Sequence, residues 1–162
     1  MIAKQHFIAI AFGACLLGLS ALASEKNPVE RPQKGVGQFH VIINVGFPFG
    51  TGDLSYVAIG TATGTHGGLS RSRLEGFAAF GPDGGITLVT GSGAVTVANG
   101  DKFYMRLEPD GSVTINGGTG RFEGATGSQT ATNVGDPVAV YDPATGTLTI
   151  DVTQTIEGTI TY

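Results

Sequence analysis

From residue 36 onward, apolar and polar side chains alternate one for one along much of the chain. The longest case closes the sequence. Leu148, Ile150, Val152, Ile156, Ile160 and Tyr162 share one parity with Gln154 and Gly158, while Thr147, Thr149, Asp151, Thr153, Thr155, Glu157, Thr159 and Thr161 share the other. Successive side chains of a strand point to opposite faces, so a period of two predicts a half-buried strand. Residues 147–162 are long for one strand, where about five or six residues is common. Long, tilted, half-buried strands are what a closed barrel uses.

Other segments repeat the pattern. Phe39, Val41, Ile43, Val45 and Phe47 alternate with Gln38, His40 and Asn44; Phe103, Met105 and Leu107 alternate with Tyr104, Arg106 and Glu108; Val113 and Ile115 begin another run. Asn99-Gly100 lies between two such runs. It is the dipeptide that best tolerates the positive φ angles of a type I′ hairpin turn. Gly81-Pro82-Asp83-Gly84-Gly85, Pro109-Asp110-Gly111 and Asp142-Pro143-Ala144-Thr145-Gly146 read as further tight turns. No segment after residue 35 carries a helical period. The pattern predicts an all-β fold, an antiparallel meander of about eight strands closed into a barrel, since closure removes the exposed edges. Gly60, Gly64, Gly76, Gly91, Gly93, Gly124 and Gly127 fall inside these runs. Glycine weakens a strand, so its repetition predicts corners or close approaches across the lumen.

Residues 1–23 read differently. Lys4 precedes an apolar run from Phe7 to Leu19, and Ala21-Leu22-Ala23 supplies small residues at the positions a signal peptidase inspects. This predicts a signal peptide cleaved before Ser24, and a secreted or periplasmic mature protein without stable membrane insertion. The apolar run is short for a membrane span of about 20 residues. Cys15, the only cysteine among 162 residues, would leave with the signal, removing disulfides and thiolate chemistry from the mature chain. Residues 24–35, SEKNPVERPQKG, carry two prolines and five charges. They read as a flexible leader, with the barrel domain spanning 36–162. The net charge of -4 argues against a nucleic-acid partner, which needs a basic face.

Residues 117–127, GGTGRFEGATG, resemble the signature strand of the allene oxide cyclase and dirigent barrels, and GTATGTHGG at 60–68 is similar to a stretch of uncharacterised secreted bacterial relatives. The likeness spans roughly residues 36–134. It implies an eight-stranded antiparallel calycin-like barrel with a central cavity, and a homo-oligomer, since such barrels form trimers. Asn44 falls on the Asn that the cyclases place in the cavity from an early strand. The accompanying Glu falls on Ile42 or Ile43, a departure that argues against cyclase activity. Read for its residues alone, Gly117, Gly118 and Gly120 make a turn, Phe122 anchors the following strand to the core, and Arg121 and Glu123 are set for cross-strand charges.

The remaining chemistry is sparse. His6, His40 and His66 are the only histidines, in no metal-ligand spacing. There is no nucleophile elbow and no phosphate-binding loop. His66 lies next to Gly67-Gly68 and close to Arg71, Arg73 and Glu75, a group able to bind an anion or to act as acid and base. Gln154 is the one polar side chain on the apolar parity of the last strand. Its buried amide needs a partner, with Asn44, a ligand or water as candidates. The residues expected to line a cavity are therefore Asn44, His66, Glu75, Tyr104 and Gln154, with no metal and no cofactor. The function expected is non-enzymatic binding of a small apolar ligand, or a surface or interaction scaffold. The alternative is an isomerase or cyclase acting on a lipid-derived or phenolic compound.

Overall fold

The computed structural model describes residues 28–64 and 68–162. The signal-peptide reading and His66 lie outside them. Nine strands follow one another: β1 Glu30–Asn44, β2 Ser55–Gly64, β3 Gly68–Phe80, β4 Ile86–Val97, β5 Lys102–Leu107, β6 Val113–Gly118, β7 Thr126–Asn133, β8 Val138–Asp142 and β9 Thr147–Thr161. All neighbours are antiparallel. The order β1-β2-β3-β4-β5-β6-β7-β9 closes through β1–β9 pairing into an eight-stranded barrel. The ninth strand does not add a position to the ring. β7 pairs with β9 from Thr161 to Gln154, and β8 continues along the same edge from Asp151 to Thr147. The expected antiparallel barrel is present.

The leader is shorter than its composition suggests. Residues 30–35 belong to β1 and pair with residues 156–161 of β9. Two inward side chains hold this stretch down. Gln33 is buried, and the Arg31 guanidinium lies 5.4 Å from the centre of the Tyr162 ring. Pro32 is tolerated because β1 has β9 on one side here and no β2 partner on the other.

Inward parity follows the alternation. Phe39, Val41 and Ile43 of β1, Val45 just beyond it, Tyr56 and Ala58 of β2, Phe103, Met105 and Leu107 of β5, and Leu148, Ile150, Val152, Ile156 and Ile160 of β9 join one continuous buried core. The Asn99-Gly100 hairpin is formed, but Gly100 alone takes a positive φ, 89°, so the turn is not the type I′ expected, which needs both central residues there. The signature segment departs from the expected strand. Gly120–Phe122 is a single 3-10 turn, because the left-handed backbone at Gly120 and Gly124 interrupts any ladder. Phe122 still anchors it, fully buried between Phe103 and Tyr162 at ring distances of 5.4 Å and 5.2 Å. Arg121 meets Asp101 at 3.8 Å.

Buried glutamines pair inside the barrel, while Ser70, also buried, has no hydrogen-bond partner for its hydroxyl among the described residues. The Gln129 amide donates to the Gln33 carbonyl, reaching across β9 at Gly158, where a side chain would collide with Ser128 and Gln129. Gln154 is fully buried and donates to Asn133 Oδ1 at 2.8 Å. At one end, the segment between β1 and β2 covers the barrel: Phe49 packs on Phe80 and edge-on to Tyr141, whose hydroxyl donates to the Gly46 carbonyl at 2.9 Å.

Burial pushes the Tyr56 phenol well above its usual value. The neutral ring is thus favoured in the folded state, and its contribution is intact below about pH 10, the unfolded value. Stability should fall as pH rises from there toward the folded value. Alkaline melts of the wild type and Tyr56→Phe check this: the variant should lose less stability above that pH, and parallel curves would count against it.

Candidate functional site

Two hollows lie on the outside of the barrel, and cross-strand register builds both. Along one outward row, Val138 of β8 stands opposite Asp151 of β9, which stands opposite His40 of β1, which stands opposite Ile59 of β2. The next row runs Thr153, Gln38, Thr61, Arg71. The link between β7 and β8 walls the groove, tied down by Val134 N–H donating to the Thr153 carbonyl at 2.8 Å. The groove has a volume of about 790 Å³. Exposed aliphatics gather in it: Ile59 is 46% exposed, Val134 54% and Val138 62%. His40 Nδ1 donates to Asp151 Oδ1 at 2.7 Å, which leaves Nε2 as the acceptor of the neutral ring. Arg71 supplies a cation on the β3 side, and Asp136 an acid on the opposite wall.

A second hollow of about 840 Å³ adjoins it over β3, β4, β5 and β6, sharing Arg71 and Ser72. Arg71, Thr96 and Lys102 are cross-strand neighbours in one row, and Arg73, Ala94 and Tyr104 in the next. Arg73 Nη2 donates to Glu75 Oε1 at 2.6 Å.

The expected cavity residues scatter over this frame. Glu75 and Tyr104 meet in the second hollow, on the outside. Asn44 also faces outward, donating to Asp53 Oδ1 at 2.9 Å, and so is no partner for Gln154. Asp53, held below the usual carboxylate range by the Ser55 backbone N–H, then by the Ser55 hydroxyl and Asn44, ties Asn44 to a turn. None of Asn44, Glu75 and Tyr104 lines the lumen, because each stands on the parity opposite the apolar one. Gln154 faces inward but is satisfied by Asn133. The residues that shape the outer groove, Ile59, Val134, Val138 and Asp151, were not singled out by the sequence. One signal was present in β2, where Val57 and Ile59 take one parity and Ala58, Gly60 and Ala62 the other. The small residues go in and the larger aliphatics out.

Among the described residues, no group of three or more His, Cys, Asp or Glu is placed to hold a metal ion. No family model, curated protein or solved structure matches the chain. The likeness to allene oxide cyclase and dirigent barrels rests on its motif residues.

Proposed function

We propose that this is a non-catalytic binding protein whose ligand sits in the outer groove over β9, β1, β2 and β3 rather than in the lumen. The observation that carries this is the contrast between the two faces of the same strands. The inward parity forms a continuous core, whereas the groove leaves Ile59, Val134 and Val138 exposed beside Arg71 and His40. Exposed aliphatics gathered in a concave, partly polar site are the usual setting for a small ligand. The chemistry fits a small amphiphile, its apolar body on the aliphatic wall and an anionic group on Arg71. Export, as read from residues 1–23, places such a protein where small molecules are captured outside the cytoplasm.

The probe is 1-anilinonaphthalene-8-sulfonate, an apolar ring system with one anionic group. The folded protein should bind it saturably, Ile59→Asp should lose at least ten-fold in affinity with an unchanged melt, and Gln154→Leu should keep it. Loss in Gln154→Leu together with retention in Ile59→Asp would move the site into the barrel and overturn the reading. The isomerase alternative has the His40–Asp151 pair in its favour, since an imidazole oriented through Nδ1 presents Nε2 as a base. His40→Gln separates the two readings. It should leave binding in place, and any conversion of the captured molecule that stops in this variant supports catalysis instead.

A further inference from the structure

The chain is acidic overall, with a net charge of -4, yet the second hollow gathers Arg71, Arg73 and Lys102 against a single lining carboxylate, Glu75. That carboxylate is already held by Arg73. Among the described residues neither Arg71 nor Lys102 has a carboxylate partner. They lie on β3 and β5 with Thr96 of β4 between them, so their backbones are about 10 Å apart by strand spacing. This leaves two unneutralised cations on one face, separated by a hydroxyl.

Tyr104 adds a different chemistry. It sits where the β5–β6 register shifts between Phe103 and Met105, an irregularity of the kind that re-aims a side chain. Tyr104 is 42% exposed and its ring edge lies beside Gly117, with Cδ2 3.8 Å from where a Cβ would stand. Ala94, its cross-strand neighbour, keeps the floor between Tyr104 and Arg73 low. Ser92, Thr96 and Asn116 complete the lining with neutral hydrogen-bonding groups. An exposed aromatic face, flanking hydroxyl and amide groups, and uncompensated cations are complementary to a sugar ring that carries acid groups.

We propose that this hollow binds an acidic oligosaccharide of the uronic acid type. A sugar ring lies on Tyr104, its hydroxyls meet Ser92, Thr96 and Asn116, and carboxylates on the chain are taken by Arg71 and Lys102. A guanidinium pairs with a carboxylate through two parallel hydrogen bonds, and an ammonium through a compact point charge. Tyrosine offers an apolar ring with a polar tip, the combination suited to a ligand that is apolar on its C–H face and wet at its edges. Apart from the buried Met105, no large aliphatic side chain lines this hollow, whereas Ile59, Val134 and Val138 line the neighbouring groove.

Calorimetry with a hexamer of galacturonic acid tests this on the whole protein, with an uncharged galactose oligomer and inorganic phosphate as companions. The acidic hexamer should bind at low salt and weaken as salt rises, because exposed charges are screened, and the uncharged oligomer should give no binding. Lys102→Ala should weaken the hexamer about ten-fold with Lys102→Arg restoring it, since a charged hydrogen bond is worth about that factor. Tyr104→Ala should weaken it without changing the salt dependence, and Tyr104→Phe should retain it. Lys102 lines this hollow and not the adjacent groove, so Lys102→Ala should still bind 1-anilinonaphthalene-8-sulfonate, and failure of one site is readable apart from the other. Absence of hexamer binding at low salt overturns the proposal. So does full binding by Tyr104→Ala with displacement by phosphate, which would leave only an anion patch.

Discussion

Ending the chain at Gly146 should abolish folding, leaving no cooperative melt and no protected amides. β9 pairs with β1 over their full length and with β7 and β8 along its other edge. Without it the ring opens, and three strands lose a partner at once. Its inward parity buries Leu148, Ile150, Val152, Ile156 and Ile160. At about 1.5–3 kcal/mol for each large side chain removed from water, that is about 10 kcal/mol, comparable to the entire net stability of a domain. Hydrogen exchange and a thermal scan check it. A truncated protein that melts cooperatively would show that the remaining strands close by themselves.

Phe39→Ala should cost about 3–5 kcal/mol, the range for emptying a buried aromatic site. The ring of Phe39 is buried in space that two glycines leave open: a Cβ at Gly37 would stand 2.7 Å from the ring and one at Gly60 2.3 Å from it. Surrounding strands cannot collapse far into the void, because their backbones are fixed by ladders on both sides. The same geometry predicts coupling. Gly60→Ala alone should destabilise the protein, and in the Phe39→Ala background it should cost much less. A double-mutant cycle in denaturant measures this, and additive effects would show that the ring does not occupy the glycine space.

The alternation carried further than the family likeness. It placed Asn44 opposite Val41 and Ile43, and Tyr104 opposite Phe103 and Met105, and both residues do face outward. The likeness drew Asn44 toward a central cavity, where the strand's own parity does not allow it to point. Composition misled in one place. The charged, proline-containing stretch at 30–35 reads as a leader, but a single buried glutamine and pairing to β9 make it the start of a strand.

The sequence by itself determined that the chain is a strand meander, where its tight turns fall, and which parity of β1, β5 and β9 turns inward. These are local properties: side-chain period, turn chemistry and the transfer of apolar groups from water act over a few residues. Tertiary structure decided which outward residues meet. His40 and Asp151 lie 111 positions apart, and only the β1–β9 register makes them neighbours. Arg71 and Lys102 join across β4 for the same reason. A slip of two residues would keep every strand's inside and outside but separate both groups. The groove across β8, β9, β1 and β2 therefore exists only once β1–β9 pairing closes the ring, while the second hollow follows the β3–β4, β4–β5 and β5–β6 ladders.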